Sequence, residues 1–294
     1  MKKAIVIRAF SGNPDFLGSA GFLSTLADFE RCFAAAAALG FEGVQPYVEP
    51  EGYFSLQTGD GTLQTISAAA RRAGVVLTSL EIKPFSYLLT DDDAAVRAAG
   101  VTLVRRAMQV AAAMEISAVL VIPGYVGLPW DPSAKPVRYD LAYERTRQAL
   151  LELAPEAERL GVSILVENIW NKFLLSPLEF RTLIDEIGSP HVGMLLDTGN
   201  LIAFGYPEQW IRILGRRIKE VHLKDYRESV GGVSGFVGLL EGDVNWPEVI
   251  AALDEIGYDG FLTAEVFPYR HHGDAVLRHT SQSMDRILTR PKLV

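Results

Sequence analysis

Residues 161–200 read GVSILVENIWNKFLLSPLEFRTLIDEIGSPHVGMLLDTGN, and this stretch contains a complete strand–helix–strand pattern. Apolar runs of strand length at 163–167 and 192–197 flank a helical pattern over 177–187. A Ser-Pro pair opens the helical pattern, and a glycine, which can close a helix in the left-handed conformation, follows it. The stretch therefore predicts two strands, buried on both faces, that are joined by a helical crossover.

The same alternation continues along the whole chain. The predicted strands cover residues 3–9, 43–47, 75–82, 118–122, 163–167, 192–197, 220–224 and 260–266. The predicted helices cover residues 28–39, 62–73, 101–114, 140–160, 177–187, 207–214 and 247–256, with a last one near 274–288. Six of the helical patterns end at a glycine just before the next strand, namely Gly40, Gly74, Gly161, Gly188, Gly215 and Gly257.

Eight parallel strands with helical crossovers form either an open doubly wound sheet or a closed barrel. The Gly-x-Gly-x-x-Gly loop of dinucleotide-binding open sheets is absent after the first predicted strand, where the chain reads Arg8-Ala9-Phe10-Ser11-Gly12-Asn13. Neither a long linker nor a shift in composition divides the chain. We therefore predict one α/β domain over residues 1–294, a single (β/α)₈ TIM barrel. In such barrels the active site lies at the carboxyl ends of the strands.

Four consecutive predicted strands each place one potential metal ligand at that end, and these residues are Glu167, Asp197, His222 and Glu265. Any one of the carboxylates could instead cap a helix or pair with a surface lysine. Four such groups beside apolar runs are hard to explain in that way, because an unpaired buried charge is costly. Adjacent strands lie about 4.8 Å apart, so the four side chains can converge on one ion. Three carboxylates and an imidazole favour Mn²⁺, with Mg²⁺, Co²⁺ and Zn²⁺ as alternatives.

The surrounding segments carry a resemblance to a known family. They read Val166-Glu167-Asn168, Leu196-Asp197-Thr198-Gly199-Asn200, Val221-His222-Leu223-Lys224-Asp225, Gly242-Asp243-Val244-Asn245-Trp246 and Thr263-Ala264-Glu265. Together they resemble the xylose isomerase-like TIM-barrel superfamily. Within it they are most similar to the sugar and sugar-phosphate isomerase/epimerase group, which includes L-xylulose-5-phosphate 3-epimerases and D-tagatose 3-epimerases. The resemblance is sharp from about Gly161 to Tyr269 and general before that.

The resemblance implies that the four residues bind one divalent metal and that Glu167 and Glu265 double as an acid/base pair. It also implies a substrate contact for Asn200. Free-ketose epimerases carry a histidine at this position, whereas the phosphopentulose branch resembles this chain in having an asparagine. Two departures argue against free ketohexoses. Phe173 replaces a second glutamate, and Glu228 replaces an arginine that is displaced here to Arg227.

The residue types are consistent with such chemistry. Removal of a proton beside a carbonyl creates an enediolate, whose charge a divalent metal stabilises. Glu167 and Glu265 come from the fifth and eighth strands and can therefore flank a substrate carbon, one as base and the other as acid. An aldose–ketose isomerase, a sugar or inosose-type dehydratase and a hydroxypyruvate isomerase-like enzyme remain alternatives, and a metal-free ligand-binding barrel is the non-enzyme alternative.

Several further residues are candidates for contact with the substrate. Lys224 lies two positions beyond His222, so strand alternation points both inward, although a structural pair with Asp225 or another carboxylate is an equal alternative. Arg227 and Arg270 lie in loops where barrels frequently bind phosphate, but nearby acidic residues reduce the positive charge there. Aromatic residues predicted near the rim could form a wall against a sugar or pack in the core, and they are Trp130, Trp170, Phe173, Phe267 and Tyr269. Gln45 and Glu81 are weaker candidates for the same pocket.

Composition excludes several classes of protein. With 28 basic and 36 acidic residues the net charge is −8, which provides no basic footprint for nucleic acid or an anionic membrane surface. Five histidines and this charge also disfavour an endonuclease IV-like repair enzyme. The apolar run that ends at Arg8 is too short for a secretory signal, and one cysteine suits a reducing compartment. We expect a cytoplasmic protein that binds a small sugar or sugar phosphate and could form a homo-oligomer.

Overall fold

The computed structural model describes residues 1–12, 21–49 and 51–289, and the predicted alternation of strands and helices runs through them. The strands are β1 Lys2–Val6, β2 Gly43–Gln45, β3 Tyr47–Val48, β4 Val76–Leu77, β5 Ser79–Ile82, β6 Ala118–Val121, β7 Ser163–Val166, β8 Val192–Asp197, β9 Ile218–Leu223, β10 Asp225–Tyr226, β11 Phe236–Val237 and β12 Phe261–Ala264. The helices are α1 Leu26–Ala38, α2 Asp60–Ala73, α3 Ala94–Ala113, α4 Tyr139–Leu160, α5 Pro177–Ile187, α6 Thr198–Ile202, α7 Pro207–Leu214, α8 Trp246–Glu255 and α9 Ala275–Thr289.

The strands form a parallel sheet in the order β3-β5-β6-β7-β8-β9-β12-β1-β2-β4. Two predicted strands are each interrupted by one residue. Pro46 separates β2 from β3, since proline has no N–H to donate to the ladder, and Thr78 separates β4 from β5. Because β2 pairs with β4 and β3 pairs with β5, the sheet closes on itself. The prediction of an eight-membered parallel barrel is therefore confirmed.

Helix boundaries follow the predicted signals closely. Ser176 accepts a hydrogen bond from the amide of Leu178 at the start of α5, and all six predicted helix-ending glycines have positive φ. One boundary was predicted wrongly. The pattern placed the start of α3 at 101, just after Gly100, whereas the helix begins at Ala94 with Asp93 as its cap. Gly100 lies inside the helix at a close approach to the preceding loop, where a Cβ would come within 3.1 Å of the Leu88 carbonyl oxygen.

Three local elements at the carboxyl end of the barrel depart from the prediction. The first strand ends at Val6 instead of residue 9, and a 3₁₀ turn over Ile7–Phe10 follows it. The short helix α6 begins directly after β8. After β9, strands β10 and β11 form an antiparallel hairpin. All three elements place side chains at the mouth of the barrel.

The interior of the barrel is divided into an apolar and a polar side. Side chains of β6 to β8, including Leu120, Leu165 and Leu195, form an apolar cluster. The opposite side is polar, and there Thr263 donates a hydrogen bond to the buried carboxylate of Glu220 over 2.9 Å. The larger apolar core lies between the sheet and the surrounding helices. Within the described residues, none of the helices is long and apolar enough to cross a membrane.

Candidate metal centre and active site

The four predicted ligands lie together at the carboxyl end of the barrel. Glu167 follows β7, Asp197 ends β8, His222 lies in β9 opposite Asp197, and Glu265 follows β12. All four are buried, and each offers a ligand atom within 4.8 Å of those of the other three. Their convergence results from the parallel register of neighbouring strands, which brings equivalent strand ends to the same rim.

The donor set fits a divalent cation. Ligand atoms about 2.0–2.2 Å from a common ion lie up to about 4.4 Å apart, close to the spread of these four groups. Nδ1 of His222 is 3.2 Å from Oε2 of Glu265 and 4.0 Å from Oδ2 of Asp197, so this nitrogen faces the carboxylates. Three buried carboxylates around one imidazole also carry an excess of negative charge that a cation would balance.

Lys224 and Asn200, both predicted to contact the substrate, lie at this cluster. Nζ of Lys224 is 3.1 Å from Oδ2 of Asp197 and 2.7 Å from Oε2 of Glu265, so the inward orientation predicted for Lys224 is observed. These contacts are pairs with carboxylates other than Asp225, a form that the alternative prediction also included. Asn200 donates its side-chain amide to Oε1 of Glu167 over 3.0 Å. Both residues therefore contact the carboxylates of the cluster directly.

Arg8 was missed by the sequence reasoning. Its guanidinium is buried and donates to Oε1 of Glu81 over 2.6 Å and to Oε1 of Glu265 over 3.3 Å. It also lies over the ring of Tyr47, 5.0 Å from the centroid. The sequence offered a signal, since an arginine directly after an apolar strand occupies the functional end of a barrel. It was interpreted only as the end of an apolar run.

Gln45 and His222 are in contact on the side of the imidazole that faces away from the carboxylates. The side-chain nitrogen of Gln45 lies 3.0 Å from Nε2 of His222 and 2.7 Å from Oγ of Ser79, while its oxygen, Oε1, has no hydrogen-bond partner. When Nδ1 binds a metal, Nε2 carries the proton and needs an acceptor. A half-turn of the Gln45 amide would present Oε1 to both the imidazole and the hydroxyl.

The environments of the two glutamates shift their pKa values in opposite directions. Burial and the negative charge of Glu265 raise the pKa of Glu167 well above its usual value. Burial also acts to raise the pKa of Glu265, but the positive charges of Lys224, His222 and Arg8 outweigh it and hold that pKa well below its usual value. Such a divergence is typical of carboxylates with separate acid and base roles.

The other titratable groups of the cluster respond to the same surroundings. Burial raises the pKa of Asp197 and of Glu81. Burial lowers the pKa of His222, but the hydrogen bond to Glu265 and nearby carboxylates outweigh this effect and raise it to about 9. The same carboxylates raise the pKa of Lys224. In the metal-free protein the imidazole and the ammonium are therefore both charged at neutral pH.

A cavity opens directly above the cluster. It holds about 690 Å³ of atom-free space, a figure that includes its open mouth. Trp130 and Trp170 line it, as predicted, together with Phe85 and Phe236, which were not predicted. The other aromatic candidates lie elsewhere. Phe173 is buried in the core, while Phe267 and Tyr269 are absent from the cavity lining, and Phe267 lies beside Arg8.

Arg227 does not reach this cavity. It is exposed, and its guanidinium donates to the carbonyl of Glu241. Its position follows from the hairpin, in which the amide of Arg227 donates to the carbonyl of Gly235. The arrangement thus provides no contact between Arg227 and a ligand in the cavity, in contrast to the predicted role. Arg270 likewise lies outside the lining.

The hairpin is held by a single buried carboxylate, Asp225. Its oxygens accept hydrogen bonds from four backbone amides and from the indole N–H of Trp246, at 2.9–3.3 Å. The ring of Phe236 on β11 is stacked on Trp170, with centroids 4.8 Å apart, and lies under Nζ of Lys224. Asp225 therefore fixes the segment that brings Phe236 to the cavity.

Comparison with known proteins identifies relatives along most of the chain. A D-psicose 3-epimerase from Agrobacterium fabrum is 26% identical over 250 residues, which cover 82% of this chain and 80% of that protein. A 2-epi-5-epi-valiolone 7-phosphate 2-epimerase from Actinoplanes sp. is 28% identical over 212 residues, covering 71% and 72%. An uncharacterized protein from Methanocaldococcus jannaschii is 28% identical over 176 residues, which cover 58% of this chain and 57% of that protein.

The structural comparison agrees with the fold. A crystal structure of the IolI protein with a bound zinc atom has a TM-score of 0.77, is 13% identical and covers 99% of both chains. The family model described as the xylose isomerase-like TIM barrel matches residues 33–287. With a closed parallel barrel and a match over most of its length, the chain belongs to the xylose isomerase-like TIM barrel family.

Proposed function

We propose that the protein is a divalent-metal-dependent isomerase or epimerase that acts on a sugar beside its carbonyl group. The observation that carries this proposal is the buried group of Glu167, Asp197, His222 and Glu265 at the floor of a cavity. The epimerases among its relatives support the isomerase class. The donor set supports a bound metal, for which Mn²⁺ is our first choice and Mg²⁺, Co²⁺ and Zn²⁺ are alternatives.

The four residues would hold the metal, which when bound supplies positive charge to stabilise an enediolate. Glu265 is the group best suited to remove the proton, because Arg8 and Lys224 keep its carboxylate ionised. Glu167 would return a proton from the other side of the substrate carbon, because it follows β7 while Glu265 follows β12. Asn200 would orient Glu167 through the hydrogen bond to Oε1.

Lys224 and Trp130 would contact the substrate. The ammonium of Lys224 lies at the floor of the cavity and could donate to a sugar oxygen without losing its contact with Glu265. Trp130 would provide an apolar face at the wall, where it packs against Phe85 with centroids 5.9 Å apart. A dehydratase would begin with the same proton removal, and only the fate of the substrate separates the two reactions.

Deuterium exchange tests the proposed reaction. We expect the metal-loaded protein in D₂O to incorporate deuterium beside the carbonyl of a ketose and to yield an epimer or aldose, as followed by NMR. Glu167→Gln and Glu265→Gln should each lower the rate by about 10²–10⁴-fold at metal concentrations that restore full occupancy, because each removes one proton-transfer group. Loss of water would identify a dehydratase, and no exchange with any ketose or inosose would contradict the proposal.

Metal binding is tested by Asp197→Asn. The variant should bind Mn²⁺ or Zn²⁺ at least about 100-fold more weakly, because it replaces a charged ligand at the centre of the group. The matched control is Glu220→Gln, which also neutralises a buried carboxylate of the barrel interior but lies outside the ligand set. Metal content measured by elemental analysis after dialysis should fall only in the first variant. Equal content in both would exclude the proposed site.

The raised pKa of His222 predicts proton release on metal binding. The imidazole is protonated below about pH 9 in the metal-free protein, whereas an imidazole that binds a metal must be neutral. At pH 7.5 binding should therefore release about one proton from His222, and the apparent affinity should rise with pH up to about 9. Calorimetry in buffers of different ionisation enthalpy measures this number. His191→Gln, at the opposite end of the barrel, should leave it unchanged, and a pH-independent affinity would refute the assignment.

Gln45→Leu tests whether the amide positions the metal ligand. Removing the acceptor for Nε2 of His222 should weaken metal binding by about 10–100-fold while the fold remains intact. Gln45→Glu, which keeps an acceptor, should bind metal more tightly than Gln45→Leu. The visible absorption spectrum of the Co²⁺-loaded protein provides a second measurement, because it reports the ligand geometry. An unchanged spectrum and affinity in Gln45→Leu would show that the contact has no such role.

A further inference from the structure

The two permanent cations at the floor of the cavity are already paired with carboxylates before any substrate enters. The buried groups at its floor are four carboxylates and two permanent cations, namely Glu81, Glu167, Asp197 and Glu265 with Arg8 and Lys224. The cations are already engaged, because Arg8 contacts Glu81 and Glu265, while Lys224 contacts Glu265 and Asp197. Neither cation is therefore available to a phosphate without giving up a contact with a carboxylate.

Among the residues that the structure describes, the walls above this floor add no cation. Of the described residues that line the cavity, those above the floor are apolar or aromatic, including Phe85, Trp130, Ile169, Trp170 and Phe236. Arg227, the basic residue closest to the hairpin wall in sequence, is exposed and donates to the carbonyl of Glu241. The walls can therefore pack against the C–H face of a sugar, but they offer no ammonium or guanidinium to a charged group.

A helix N-terminus could in principle replace a cation. Helix α6 begins at the floor, and its short first turn is already capped, because Oδ1 of Asp197 accepts the amide of Asn200 over 2.8 Å. A phosphate ester carries up to two negative charges at neutral pH and is normally bound by arginine, lysine or free helix-terminal amides. In this cavity a phosphate ester would meet carboxylates and aromatic rings. Repulsion between the phosphate and the carboxylates would be strongly unfavourable.

We infer that the substrate is an uncharged sugar, bound with its far end against the aromatic walls, and that phosphorylated sugars are excluded. This inference rests on the proposed function and narrows it. It runs against the two sequence departures, Phe173 and Glu228, that argue against free ketohexoses, but Phe173 is buried in the core and neither residue is among those that line the cavity. It also assigns Phe236, Trp130 and Trp170 a role in specificity. They select against a charged end by surrounding it with apolar surface instead of by a direct clash.

Binding of matched ketoses tests the inference. The probes are D-xylulose and D-fructose, each compared with its phosphate monoester at the end far from the carbonyl, D-xylulose 5-phosphate and D-fructose 6-phosphate. Of the four tryptophans, Trp130 and Trp170 line the cavity, while Trp210 and Trp246 are buried elsewhere, so fluorescence of the Mg²⁺-loaded protein reports binding. At least one free ketose should bind, and it should bind at least about tenfold more tightly than its phosphate.

A charge placed on the wall provides the matched variant. Val233 lines the cavity from the hairpin and is 39% exposed, so a longer side chain can be accommodated. Val233→Arg should strengthen binding of the phosphorylated sugar and so narrow the difference in affinity between the free and the phosphorylated sugar. Val233→Gln, which is also longer than valine but neutral, should leave this difference unchanged. Equal effects of the two variants would show that charge is not the determinant.

The outcomes separate this inference from the proposed function. Tighter binding of a phosphate than of its free ketose, or no binding of any free ketose, overturns the inference. Turnover of a phosphorylated sugar alone would overturn it while leaving the proposed isomerase reaction intact. Preferential binding of a free ketose without deuterium exchange would support the inference and contradict the proposed reaction.

Discussion

The carboxylate of Glu265 is the point at which the buried charges of this protein converge. It contacts Arg8 after β1 and both His222 and Lys224 at the end of β9. In a low-dielectric interior, removing one partner of such a network leaves an uncompensated charge, which typically costs about 3–5 kcal/mol. The network therefore constrains β1, β9 and β12 to one relative arrangement, and the mouth of the barrel depends on it.

The rest of the barrel is organised around this polar side. The apolar cluster on β6 to β8 fills the opposite half of the interior and provides a rigid support for the strand ends that carry Glu167 and Asp197. Above them, Asp225 holds the hairpin by five hydrogen bonds, so that Phe236 covers Lys224. The apolar packing, the charge pairs and the anchored hairpin therefore all fix the side chains at the mouth of the barrel. A reactive group held on several rigid elements is better positioned than one held on a loop alone.

Much of this site could be predicted because strand ends have a fixed place in a barrel. The three carboxylates among the predicted ligands follow or end apolar runs and His222 lies near the end of β9, and the parallel topology brings such positions to one rim. Lys224 followed from strand alternation. The prediction that Arg227 contacts the substrate was wrong, because the position of a residue in a loop does not determine where its side chain points. The hairpin turns this side chain to solvent. Phe173 was predicted near the rim because it follows the fifth predicted strand, but it is buried in the core.

The sequence by itself determined the eight βα units, the helix ends and the four residues that converge, because periodicity and glycine placement are local properties of the chain. Only the tertiary structure decided which charges meet. Arg8 reaches Glu81, 73 positions away, and Glu265, 257 positions away, and no local pattern encodes such pairs. The same holds for the pairing of charges that disfavours a phosphate, since it depends on which cations face the cavity and which carboxylates already occupy them.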